Sequence, residues 1–344
     1  MNVTISPIRQ GYQKRKRRYC LITFLLFLLV LCLAFMMLSC GDTFYPLTTV
    51  FRVLSGEKIT GAVFPILTLR LPRMCAAILC GIAFGMAGNT FQMLLKNPLA
   101  SPDLIGVTSG SSAAAVFGIL ILNMNRTYVS LLAVFFGILT AFFIYFLSNH
   151  KGFSTGKLIL TGIGMQAFLN ALISFMLLKA SEYDVASALR WLSGSLSGIR
   201  LDSIPKLAIV VLFAGSSILL MQRHLQILQL GDSYGTTLGA KVTILRLFLI
   251  FFAILLIAFA TSVTGPIASV AFLSGPIAAK LCGKGQTNML SSAFLGAILV
   301  SGSDLIGQFL LPSRYPVGVV TGMLGAPYLL FLLLYTNKKG GKLS

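Results

Sequence analysis

Residues 70–115 read RLPRMCAAILCGIAFGMAGNTFQMLLKNPLASPDLIGVTSGSSAAA, an apolar stretch headed by two arginines and punctuated throughout by glycine and proline. A helix in water would not tolerate that punctuation. In a bilayer, neighbouring helices re-satisfy freed backbone groups and glycine lets backbones approach closely, so Gly81, Gly85, Gly88, Gly106 and Gly110 read as contacts in a tight helical bundle. The turn Lys96-Asn97-Pro98-Leu99-Ala100-Ser101-Pro102 biases the residues before each proline away from the helix. The stretch therefore predicts a membrane helix, a turn at the membrane surface and a second membrane helix.

Composition extends this reading to the whole chain. With 344 residues, 56% hydrophobic, 10% charged and a mean hydropathy of +0.90, the chain cannot cover a soluble core with polar surface. The net charge of +19 does not point to nucleic acid, because the basic residues sit between apolar runs, as cytoplasmic loops of membrane proteins require. Cys20, Cys32, Cys40, Cys75, Cys80 and Cys282 lie in or at the ends of apolar runs with no C-x-x-C pair, and read as packing residues without disulfide or metal framework.

Ten apolar runs predict an all-α integral membrane protein with spans near 21–38, 71–95, 104–122, 128–147, 158–178, 204–221, 243–263, 267–281, 288–305 and 318–335. The eighth is short against the roughly 20 residues of a full span, and the break before it rests on Thr264-Gly265-Pro266. One permease-sized domain, 20–336, is thus flanked by basic tails at 1–19 and 337–344. The run Lys14-Arg15-Lys16-Arg17-Arg18 precedes an apolar segment too long for a signal peptide, so an uncleaved first helix is expected. An even number of spans puts both termini on one side. Placing them in the cytoplasm leaves 17 of the 27 basic residues inside and 10 outside, which favours that orientation.

Chemistry-bearing constellations are few. The stretch 152–157, GFSTGK, is one residue too short for a phosphate loop, so ATP hydrolysis by this chain is not expected. His150 and His224 fall near helix ends without i, i+4 partners, and no metal or cofactor site is predicted. Of the eight acids only Asp304 lies within a span, which counts against an ion-coupled carrier, since a coupling ion needs ligands at bilayer depth. No nucleophile–base set suggests an intramembrane enzyme. Between the fifth and sixth spans, Val185, Leu189, Leu192 and Leu196 recur at helical spacing, predicting an external amphipathic helix in which Trp191 either anchors the interface or borders a pathway. Between the sixth and seventh, residues 230–241 form a glycine-punctuated polar insert in which Asp232 can cap a helix towards Leu238 that Gly239 ends; a bland surface helix would look the same. Arg70 and Arg73 share one face if helical, although Pro72 suits a helix start, and on residues alone they either reach lipid headgroups or bind a partner.

Several of these segments together resemble the ABC importer permeases for iron-siderophores, haem or cobalamin. The shared features are R-L-P-R at 70–73, the N-P-L-A run from Asn97 through Pro102, Gly106 and Gly110, W-L-S-G-S-L-S-G at 191–198, L-G-D at 230–232, Gly265-Pro266-Ile267 with Pro276, and the run from Asp304 to Pro327. Gly235 stands where the family has alanine, Ile277 and Lys280 replace a histidine and an arginine, and Gln308 replaces an arginine for which Arg314 lies nearby. The resemblance implies a homodimer, or half of a heterodimer, in a bacterial inner or cytoplasmic membrane. It implies that a separate cytoplasmic ATPase docks at Gly231, Asp232, Gly235, Leu238 and Gly239. An extracytoplasmic substrate-binding protein would then pair its carboxylates with Arg70, Arg73 and Arg314. The implied cargo is an iron chelate, a ferric siderophore before haem or cobalamin; the alternative class is an ion-coupled carrier or channel.

Overall fold

The computed structural model describes residues 5–148, 155–283 and 286–340. His150, Lys151, Lys284 and Lys342, positions 152–154 of the GFSTGK stretch and the end of the C-terminal tail lie outside the described residues. Regular structure among the described residues is entirely helical. In chain order it comprises α1 (Ile5–Ser39), α2 (Leu47–Leu54), α3 (Leu71–Leu94), α4 (Val107–Leu120), α5 (Arg126–Ser148), α6 (Thr155–Lys179) and α7 (Glu182–Leu192). There follow α8 (Ile204–Leu220), α9 (Gln222–Leu230), α10 (Asp232–Thr237), α11 (Val242–Thr264), α12 (Val270–Cys282), α13 (Met289–Phe309) and α14 (Val317–Gly340).

Seven helices are long and apolar enough to cross a membrane, and the shorter apolar helices Val107–Leu120, Val270–Cys282 and Val317–Phe331 complete the expected ten. Two are short for visible reasons. The third span was expected from residue 104, but Pro102–Ile105 forms a 3-10 turn, and Gly106, at φ 69°, lets the chain turn before α4 starts. Before α12, Gly265 (φ 75°) ends α11 and the chain runs irregularly to Ser269 (φ 67°).

The second span departs from its expected start. Pro72 stands in the first turn of α3, as its fixed φ suits, but no free chain precedes it: a π-helical turn, Phe64–Arg70, runs directly into α3 and makes one helix of Phe64–Leu94. The wider turn accommodates a proline whose ring would clash with the carbonyl four residues earlier in a regular helix. Arg70 and Arg73 are therefore interior residues of a continuous helix.

Helix α3 sits at the centre, packed against α13, α11, α12 and α8. Without a hydrophobic force between helices in lipid, close van der Waals contact must hold such a bundle, and small residues permit it. A Cβ at Gly81 would lie 2.4 Å from Ala297 Cα, one at Gly85 2.2 Å from the Ser292 carbonyl oxygen, and one at Gly88 1.8 Å from that of Ala271. These are backbone-to-backbone contacts of α3 with α13 and α12. Large apolar side chains instead face outward, among them Phe24 and Leu28 on α1, Phe142 and Phe146 on α5 and Leu212 on α8. In the last turn of α2, Arg52 hydrogen-bonds Glu57 just beyond the helix and holds that carboxyl below its usual range.

Candidate functional site

At the end of the bundle that carries α7, the basic head of the Phe64–Leu94 helix meets the ends of α1 and α13. Arg70 donates to the carbonyls of Leu38 and Ser39 at 2.8 Å and of Thr43 at 2.6 Å, and its guanidinium lies 4.9 Å from the Tyr45 ring centroid. Arg73 makes a two-pronged pair with Asp304, both bonds 2.8 Å, and Gln308 adds a 2.7 Å hydrogen bond to the same carboxylate. Asp304 is 2% exposed in its side chain and Arg73 23%. Arg314 pairs with Asp42 on the surface, where both side chains are mostly exposed. All three arginines line one depression of about 240 Å³. Sequence reasoning singled out the arginines but missed their acidic partners. The available signal was that Asp304 stands one helical turn before Gln308, where the resembled family carries its arginine.

Below this rim, three distant segments meet through backbone. Helix α7 opens on Ser181, whose hydroxyl accepts from the Asp184 amide at 3.3 Å, a side-chain cap that fixes the helix start. Its Trp191, half-buried, packs towards Ala115, Val129 and Ala133 on α4 and α5. Beyond the helix, the Ser195 amide donates to the Thr264 carbonyl at 2.7 Å and the Gly318 amide to that of Gly194 at 3.0 Å. A Cβ at Gly194 would lie 2.2 Å from the Pro266 oxygen, and one at Gly265 2.2 Å from the Trp191 oxygen. The W-L-S-G run, the Gly265-Pro266 break and the start of α14 are thus locked together where α11 hands over to α12.

At the opposite end lies the polar insert. A helix not anticipated from the sequence, α9, precedes it, and Gly231 at φ 117° turns the chain into α10. Asp232 does not cap α10: it is the first helical residue, Gly231 holds the cap position without a side-chain bond, and the Asp232 carboxylate accepts from Arg246 on α11 at 2.7 Å. The reason is competition, since a nearby guanidinium offers a charge-assisted bond that a backbone amide cannot match. Gly235 is buried against Val242, where an added Cβ would lie 3.0 Å from a methyl, and Gly239 ends the segment at φ 78°. Leu230, Tyr234 and Leu238 project into solvent, each at least 60% exposed. Beside them, Asn97 and Pro98 join Gln229 and Pro276 in lining a cleft of about 500 Å³; Asn97 accepts from the Leu99 amide at 2.9 Å and so shapes the turn. Two buried amides of α3 stitch this end together, Asn89 donating to the Thr287 carbonyl at 2.7 Å and Gln92 to that of Phe272 at 2.9 Å.

Gly110 completes the α4 contact, an added Cβ there falling 2.3 Å from Thr140 Oγ1 on α5. Helix α6 is the barest of the long spans, with 17% of its apolar window buried, and it exposes Asn170 and Ser174. Among the described residues no group of three or more His, Cys, Asp or Glu could hold a metal ion, and His224 is exposed on α9.

The arrangement offers a rim of cations at one end, an exposed apolar ledge at the other, and a bundle without a free carboxylate at depth among the described residues. Residues 26–335 match the FecCD transport family. The chain is 35% identical over 292 residues to the ferric enterobactin transport system permease protein FepG of Escherichia coli (strain K12), covering 84% of this chain and 88% of the relative. It is 34% identical over 326 residues to the iron(3+)-hydroxamate import system permease protein FhuG of Bacillus subtilis (strain 168), covering 90% and 96%. The fold matches that of a metal-chelate type ABC transporter solved in an inward-facing conformation, with a TM-score of 0.80 at 26% identity over 92% of this chain and 99% of that one. With the match running from within α1 to α14, and so across both the arginine rim and the ledge, the chain belongs to the FecCD transport family.

Proposed function

We propose that this chain is the membrane-spanning permease subunit of an ABC importer that carries an iron chelate, a ferric siderophore before haem or cobalamin, into the cytoplasm. The observation that carries the reading is similarity along nearly the whole chain to permeases named for ferric enterobactin and iron-hydroxamate. The electrostatics agree with it: Asp304, the acid that lies within a span, is already paired with Arg73 and bonded by Gln308, so its charge is compensated without a coupling ion.

On this reading a cytoplasmic ATPase docks on the ledge of Leu230, Tyr234 and Leu238, with Gly231 and Gly239 setting the angle of α10 and the Asp232–Arg246 pair passing its movement to α11. An extracytoplasmic binding protein meets Arg70, Arg73 and Arg314. A second permease subunit covers α6, because an exposed Asn170 is costly against lipid and acceptable against protein or a polar passage. The chain lies in the bacterial cytoplasmic membrane with both termini inside, the basic segments 1–19 and 337–344 flanking the bundle. ATP is hydrolysed by the partner, not by this chain.

The test is uptake of radioiron-labelled chelate into proteoliposomes holding the permease, its ATPase and its binding protein. Uptake that requires ATP and survives a protonophore supports the proposal. Uptake without ATP that collapses with the ion gradient would replace it by the ion-coupled carrier.

A further inference from the structure

Two cavities on the face formed by α5 and α11 run into one another. The first, about 270 Å³, opens among the ends of α5, α8 and α11 next to α7 and carries Arg126, Arg200 and Lys206 against a single carboxylate, Asp202. Only Arg200 is near that carboxylate, at 3.9 Å, and Lys206 has no ion pair among the described residues. Arg126 is anchored to the Gly198 carbonyl at 2.5 Å, and Ser130 ties α5 to α11 through the Ser262 carbonyl at 2.7 Å. This is a polar cup with one anchored guanidinium, two exposed cations at its rim and an excess of positive charge. The second cavity is a groove of about 800 Å³ between α5 and α11 whose lining is almost wholly hydrocarbon and aromatic. Leu131, Val134 and Phe259 line both cavities, so the polar cup opens directly onto the apolar groove.

The groove follows α5 from Leu131 to Tyr145. Fourteen residues at 1.5 Å each make about 21 Å, longer than the ~15 Å of hydrocarbon in one leaflet, so a whole acyl chain fits along it. The positive-inside bias does not account for the cations, because on the orientation proposed above they are outside.

We propose that an anionic phospholipid is a resident ligand of this face, its phosphate in the cup of Arg126, Arg200 and Lys206 and one acyl chain in the α5–α11 groove. Charge complementarity selects the headgroup, by the same pairing with which basic pockets between membrane helices hold anionic lipid on the cytoplasmic side, here at the outer leaflet. The lipid wedges α5 against α11, the helix that joins the Asp232–Arg246 pair at one end to the Gly265-Pro266 break at the other.

Native mass spectrometry of the full-length permease, purified from nanodiscs of equimolar phosphatidylglycerol and phosphatidylcholine with identical chains, tests this. The wild-type protein should retain phosphatidylglycerol selectively. The exposed-site variant Arg200→Ala/Lys206→Ala should lose about fivefold in retention for each cation, the equivalent of ~1 kcal/mol apiece. Ile138→Trp, which fills the groove and leaves the cations in place, should release the lipid as well. Equal retention of both lipids, or retention untouched by both variants, would overturn the proposal. Displacement of the lipid by glycerol 3-phosphate alone would reduce the cup to a free-phosphate site, and a disulfide between two copies through Phe142→Cys, in a chain without other cysteines, would assign the groove to a second copy. Either result overturns the lipid.

Discussion

Asp304→Ala isolates one guanidinium in the α3–α13 interface. In the native protein both carboxylate oxygens of Asp304 are bonded to Arg73, with Gln308 as third donor, and the carboxylate is 2% exposed. Removing one member of a buried pair costs about 3–5 kcal/mol, because the other charge is left desolvated without compensation. Arg73 retains 23% exposure and can draw in some water, so the lower end of the range applies. A loss of ~3 kcal/mol is expected for Asp304→Ala and a similar one for Arg73→Met. The double variant Arg73→Met/Asp304→Leu, which replaces the pair by hydrocarbon of similar volume, should recover at least ~2 kcal/mol relative to either single change. The assay is reversible unfolding in mixed detergent micelles, read as a shift in midpoint at constant slope. Single-variant losses below ~0.5 kcal/mol, or a double variant whose loss equals the two singles added together, would refute the view that this pair pins the ends of α3 and α13.

Gly85→Val should abolish a monodisperse permease on size-exclusion chromatography, because its Cβ falls on the Ser292 backbone, whereas Gly302→Ala, with nothing within 4 Å, should behave as wild type. Leu238→Asp should abolish co-purification of the ATPase while membrane insertion persists, since it places a charge in the centre of the exposed ledge. Arg70→Glu with Arg314→Glu should slow association of the binding protein about tenfold or more at low salt, with dissociation changed far less; surface plasmon resonance at two ionic strengths reads both rates. Single cysteines at Glu57 and Ser233 in a cysteine-free chain should react with an impermeant maleimide from opposite sides of the membrane, Glu57 from outside; labelling of both from one side would overturn the orientation.

The sequence by itself determined that the chain is a ten-helix membrane bundle, because hydropathy and glycine–proline punctuation are local properties that a bilayer reads residue by residue. It also singled out the segments Arg70 to Gly110, Trp191 to Gly198, Gly231 to Gly239 and Gly265 to Pro266, since each breaks the surrounding apolar pattern. What it left open follows from one cause: partners distant in sequence have no local signature. Pro72 reads as a helix start and does open α3, but no local signal shows that a π-turn runs into it from Phe64. Asp232 reads as a cap until Arg246, on the next long helix, outbids the backbone amide for its carboxylate. Trp191 shows in the sequence only as an aromatic on an amphipathic helix, and its packing against α4 and α5 comes from the fold. Only tertiary structure brings Asp304 to Arg73 across 231 residues of chain, and only it joins a cationic cup to an apolar groove, because charge pairing and cavity shape are set by the distances between helices and not by their order.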